Sequence, residues 1–156
     1  MRKVSVNELI AMFDLAKGVI TEIWNLDDLS DEYRIYLSDL FHSIKKYEIE
    51  LYSIIDDNRF IVRKLILEKF KDYTTADEFE DIIISILERK KDKTATRKEL
   101  LEEIRKIHRF KIGDWYKNGN NQIRWHYQVS NALERLKWKG IVENVAFGVW
   151  RLKKLN

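Results

Sequence analysis

Arg124, Tyr127, Gln128, Asn131 and Arg135 fall within twelve residues of one another and share one side of a helical wheel. Their types suit the edges of base pairs. Arg can bridge the O6 and N7 of guanine, Gln and Asn can bridge the N6 and N7 of adenine, and Tyr can stack or reach a phosphate. Thr96 and Arg97 open another helix, where free N–H groups and the helix dipole favour an anion. Asn144 and Arg151 stand in two short apolar segments near the end, placed to meet a phosphate backbone.

Other chemistry-bearing residues do not combine. His42, His108 and His126 lack metal-ligand spacing. Asp81 with Glu88-Arg89-Lys90 matches an Asp…Glu-x-Lys nuclease pattern in outline. That chemistry needs carboxylates on adjacent strands, and here they lie on a helix with an apolar stripe. Asp27-Asp28 and Asp56-Asp57 read as turns. No phosphate loop, dinucleotide fingerprint or nucleophile elbow is present. The expectation is a non-enzyme with no catalytic residue, no metal and no cofactor.

The elements that must position the polar stripe are legible. On the opposite side of its helix lie Trp125, Val129, Ala132, Leu133 and Leu136, a core face. Asn121 is a candidate cap, and Gly140 a stop after Lys139. Upstream, Thr96 with Glu99 has capping-box spacing ahead of Leu100, Ile104 and Ile107, and Thr75 with Glu78 does the same ahead of Phe79, Ile82, Ile83, Ile86 and Leu87. Residues 110–121 form a long polar loop. Ile141 to Val145 and Val149 to Lys153 read as strands joined through Gly148, with Trp150 and Leu152 inward. Helix, helix, loop, helix and hairpin give a winged helix-turn-helix with a short β-wing.

The first half is helical. Ser5 with Glu8 caps a helix over residues 6–24, with Leu9, Phe13, Ala16, Ile20 and Ile23 spaced alternately by four and three. Ser30 caps a longer one in which Tyr33, Leu37, Leu40, Ile44, Tyr47, Leu51 and Ile54 repeat as an a/d seam. A short acidic turn between them predicts an antiparallel hairpin. The seam either closes that hairpin or meets a second chain, which would make Tyr33, Leu37, Leu40, Ile44, Tyr47 and Leu51 a dimer or partner surface. A third helix is predicted over residues 59–73. The fold class is thus mainly α: an acidic helical hairpin or bundle over residues 1–73, and a basic winged helix over residues 74–156.

Charge follows this order. Residues 1–88 sum to −8 and residues 89–156 to +11, hidden within a total of +3. A basic segment with a winged-helix pattern points to double-stranded DNA. The absence of cysteine excludes disulfides and thiolate metal sites and makes a cytoplasmic address the default. No apolar run is long enough for a membrane span. The start, Met1-Arg2-Lys3-Val4-Ser5, leads into an amphipathic helix and does not read as a signal peptide.

Ile123-Arg124-Trp125, Ala132-Leu133, Leu136, Gly140-Ile141-Val142-Glu143 and Gly148-Val149-Trp150-Arg151-Leu152 resemble the winged-helix domain at the N-terminus of Mrr-type restriction proteins. The likeness covers residues 75–154. In that family the module precedes a nuclease domain, whereas none follows it here, so the resemblance implies DNA binding and not cleavage. Asn58-Arg59 and Arg63-Lys64-Leu65-Ile66-Leu67, after a seamed helix, resemble the helical domain of GINS replication-complex subunits. The leading expectation is a dimeric DNA-binding regulator of transcription. The alternative is a scaffold or adaptor subunit of a replication or repair assembly, whose winged helix touches protein.

Overall fold

The computed structural model describes residues 5–55 and 72–153. The chain divides into two compact units. The first takes Met1–Tyr73 and Lys111–Ile123, the second Thr74–Phe110 and Arg124–Asn156. The third helix expected over residues 59–73 falls almost wholly outside the described residues.

In the first unit, helix α1 spans Val6–Trp24 and helix α2 spans Asp31–Ile55. Ser5 starts α1 with a complete capping box: its hydroxyl accepts from the Glu8 N–H at 3.2 Å, and the Glu8 carboxylate accepts from the Ser5 N–H at 2.8 Å. Ser30 accepts from the Tyr33 N–H at 3.3 Å, and Asp31 and Glu32 sit at the positive end of α2.

The buried face of α2 is not the a/d seam. Leu37, Ser38, Phe41, Lys45 and Glu48 are buried, while Tyr33, Leu40 and Tyr47 are exposed and Ile44 and Leu51 half-buried. Of the six seam residues assigned to a partner surface, Leu37 alone is buried inside the unit. On α1, Lys17, Ile20 and Trp24 are buried and Ile23 is exposed. The reason is polar. Lys17 donates to both carboxylate oxygens of Glu48, at 3.0 and 2.8 Å. Arg34 lies 5.0 Å from the centre of the Trp24 ring. These contacts rotate both helices so that charged and aromatic side chains meet, and the apolar seam is left to one side.

The loop after the second unit's first helix pair is built into the first unit. It contains a 3-10 helix, Ile112–Trp115. The Gly113 N–H donates to the Asp72 carbonyl at 2.7 Å, and Asp114, fully buried, accepts from the Lys111 N–H at 2.8 Å. Lys45 pairs with Asp72 at 3.1 Å, Tyr116 stacks on His42 at 4.0 Å, and the Lys117 N–H donates to Asp39 at 3.3 Å. Trp115 is buried. A polar loop by composition is thus an anchored piece of structure against α2.

The second unit runs α3 (Ala76–Arg89), β1 (Thr94–Thr96), α4 (Arg97–Ile107), α5 (Arg124–Trp138), β2 (Val142–Ala146) and β3 (Val149–Leu152). Capping boxes at Thr75 with Glu78 and Thr96 with Glu99 are both formed. The sheet is antiparallel in the order β1-β3-β2, with Ala95 and Asn144 on either side of Trp150. Strand β1 was not anticipated, because three residues carry no periodicity; Thr96 ends that strand and caps α4 at once. Phe79, Ile83, Leu87, Leu100, Ile104, Trp125, Val129, Leu133, Leu136 and Val142 make the core, all at 2 % exposure or less. Ile107, expected inside, is the last residue of α4 and is exposed.

Helix α5 begins at Arg124, so Asn121 does not cap it. Asn121 instead holds a left-handed turn (φ 63°) whose N–H donates to the Asn118 carbonyl at 2.9 Å. The other end follows expectation. Gly140 adopts φ 74°, its N–H meets the Lys137 carbonyl at 3.0 Å, and the Ile141 N–H meets that of Leu136 at 2.9 Å, a Schellman stop. The two units together are mainly helical, with one small three-stranded sheet and a short wing turned at Phe147-Gly148 (Gly148 φ 68°).

Candidate nucleic-acid interface

The core face of α5 fixes which side chains can point away from the unit. With 100° per residue, the direction opposite Trp125, Val129 and Leu136 is held by Tyr127, Asn131, Glu134 and Trp138. Arg124, Gln128 and Arg135 lie to one flank of that line. Tyr127 is 48 % exposed, and Arg124, Gln128 and Asn131 are half-buried. The first two turns of α5 therefore carry cationic, amide and phenolic groups with no carboxylate before Glu134.

Arg135 has another task. Its guanidinium pairs with Asp77 and, through Nε at 2.8 Å, with Glu80, both on α3. Lys139 closes on the same Glu80 at 2.5 Å. Glu80 is buried at 6 % exposure, so this cluster ties the end of α5 to the start of α3. Arg135→Ala is expected to cost about 1–2 kcal/mol in a urea melt, because one of the two cations paired with a buried acid is lost while Lys139 still compensates it. Its effect on any ligand of α5 should be smaller than that on stability. A melt unchanged by the substitution would return Arg135 to the recognition face.

Several other named residues also have intramolecular partners. Arg97 donates to Ser130 Oγ at 3.0 Å and to the His126 carbonyl at 3.4 Å, joining α4 to α5. Thr96 serves as the α4 cap. Asn144 donates to the Val149 carbonyl at 3.0 Å and braces the wing turn. Arg151 pairs with Glu143 across the β2–β3 ladder at 2.8 and 2.5 Å, yet stays half exposed at the mouth of a shallow cleft shared with Lys91, Asp92 and Lys93.

Some candidates were not visible in the pattern. Lys98, in the first turn of α4, and Lys137, beside the exposed line of α5, are exposed and have no ion-pair partner among the described residues. Trp138 is 88 % exposed, and Phe147 at the wing tip is fully exposed. The signal for Trp138 was its wheel position at i+11 from Tyr127; for Phe147 it was its place in a two-residue turn. Charge is also shared differently from the sequence split at residue 88. The second unit holds 16 Lys and Arg against 11 Asp and Glu, a net +5, because the acidic α3 belongs to it. The first unit is then −2.

The three histidines serve packing: His108 hydrogen-bonds Thr74 at 2.8 Å, His42 stacks on Tyr116, and His126 lies edge-on to Trp125 at 4.1 Å. No three His, Asp or Glu side chains converge as metal ligands among the described residues, and no described helix is long and apolar enough to cross a membrane. Compared with models of protein families, with curated proteins and with solved structures, the chain matches none.

Proposed function

We propose that this is a non-catalytic double-stranded DNA-binding protein that acts in transcription regulation, with the N-terminal half of α5 as its groove-facing element. One observation carries the reading: Arg124, Tyr127, Gln128 and Asn131 lie off the core face, Tyr127 exposed and the others half-buried, on a carboxylate-free stretch of the kind of helix that a helix-turn-helix places in the major groove. Lys98 at the N-terminus of α4, and Lys91, Lys93 and Arg151 at the sheet end, supply cations for phosphates on either side.

The test is a titration of labelled duplex DNA over a range of salt. The observed association constant should fall with a log–log slope of several units, about −0.9 per phosphate contacted. Arg124→Ala and Gln128→Ala should each weaken preferred sites by about 1–3 kcal/mol while weakening random duplex less. Lys98→Ala should reduce the slope by about one unit and leave site preference alone.

A second reading has its own observation. Trp138 and Phe147 are large, apolar and open to solvent, and Glu134 sits between Tyr127 and Trp138. Aromatic anchors of this kind suit a protein surface. On that reading the protein is an adaptor in a replication or repair assembly. Absent or salt-insensitive DNA binding, indifferent to Arg124 and Gln128, would favour it.

A further inference from the structure

The first unit has an open side. On α1, Met12, Leu15, Val19 and Ile23 are exposed by 38–70 %, and Leu26 just beyond the helix by 58 %. On α2, Tyr33, Tyr36, Leu40 and Tyr47 are exposed by 39–64 %. Each set follows one side of its helix; the α2 set holds no charged residue, and the α1 set has one, the exposed Glu22 between Val19 and Leu26. At 100° per residue each stripe lies roughly 80–130° round from the face that meets the other helix, turned in the same rotational sense. In an antiparallel pair this puts both stripes on the same side of the hairpin. The far side of α2 is taken: Lys45, His42 and Asp39 hold Asp72, Tyr116 and Lys117 there.

We infer that this side of the α1–α2 hairpin is the interface between two copies of the chain, closing as a four-helix bundle. The nine side chains expose on the order of 1,000 Å², more than the largest patch of an ordinary monomer (about 300–600 Å²) and close to the ~800 Å² that each partner of a stable pair buries. The patch carries one charge, that of Glu22 at the edge of the α1 stripe, so a strongly acidic or basic partner would find little on it to read. It is also complementary to itself. The α1 stripe is aliphatic and the α2 stripe mainly tyrosine, and a two-fold axis across the hairpin brings the α1 of one copy onto the α2 of the other. Tyr33, Tyr36 and Tyr47 then bury ring faces while their hydroxyls stay at the rim, wet in both the free and the paired state. The surface thus includes Tyr33, Leu40 and Tyr47 of the α2 seam, adds Tyr36 and α1, and leaves out Leu37, Ile44 and Leu51.

Sedimentation of the full chain tests this independently of DNA. The expected mass is twice 18.9 kDa at micromolar concentration. Leu15→Glu and Tyr36→Glu should each raise the dimer Kd by at least about 30-fold, with helical circular dichroism unchanged because both side chains are exposed. If Leu15→Glu itself loses helix, Tyr36→Lys gives the decision. Trp138→Ala and Phe147→Ser should leave the dimer Kd within about twofold. A monomer at about 100 µM, a dimer indifferent to both stripe substitutions, or one broken by the Trp138 or Phe147 change would overturn the inference.

Discussion

Lys17→Ala should destabilise the first unit by about 3–5 kcal/mol, a large part of the ~5–15 kcal/mol that holds a domain together. The Lys17 and Glu48 side chains keep only 10 % and 4 % of their surface in water. With the ammonium gone, a carboxylate remains in a dry interface without its cation. Glu48→Ala should cost less, because Lys17 also has the partly hydrated Asp14 at 3.3 Å. Replacing both, as Lys17→Met with Glu48→Leu, should be neutral or stabilising by about 1–4 kcal/mol, since neither desolvation cost is then incurred. Urea unfolding followed by circular dichroism reads all three as midpoint shifts at constant slope. A loss under about 1 kcal/mol for Lys17→Ala would mean that water reaches the pair.

Gly113→Ala is expected to cost about 3 kcal/mol. A Cβ built on Gly113 would sit 2.6 Å from the Asp72 carbonyl oxygen and 2.8 Å from its Cγ. The near atom is backbone and cannot swing away, so overpacking of about 1–3 kcal/mol is joined by damage to the 2.7 Å Gly113–Asp72 hydrogen bond. Asp72 also holds Lys45. The change therefore loosens the attachment of residues 111–123 to α2 at two points. Gly119→Ala is the control in the same segment. Nothing lies within 4 Å of its added carbon, and its effect should stay within about 1 kcal/mol, on the stabilising side through the unfolded chain. Hydrogen exchange should show faster opening of the amides from Gly113 to Lys117 in the first variant alone. Equal protection in both would mean that the segment is not held through Gly113.

The sequence between α4 and α5 departs from the short turn of a simple helix-turn-helix, and its residues serve the first unit. In the chain, α5 follows directly on this segment, which is anchored on α2 through Gly113, Tyr116 and Lys117 and closed by the Lys117–Ile123 bridge. Gly113→Ala therefore also tests whether the proposed DNA binding needs that anchorage.

Much of the framework was legible because its determinants are local. Ser5, Thr75 and Thr96, each three residues before a glutamate, specify capping boxes by short-range hydrogen bonding. Gly140 specifies a left-handed stop. Phe79 to Leu87 and Trp125 to Leu136 repeat with a helical period and are buried along those stripes. What could not be read were choices among faces that local pattern leaves equivalent. The seam of α2 has a clean heptad repeat, yet Lys17–Glu48 and the returning loop select the face about 80° away. Arg135 looks like its neighbours Arg124 and Gln128 on the wheel, and only the approach of Asp77 and Glu80, some 55–58 positions earlier in the chain, turns it into a clamp. The sequence by itself determined where helices start and stop and which residues form the second unit's core, since propensity, capping and hydrophobic period act within a few residues. Tertiary structure alone decided which polar groups are spent on holding the protein together and which remain at the surface, because charge pairing acts between residues that only folding brings near.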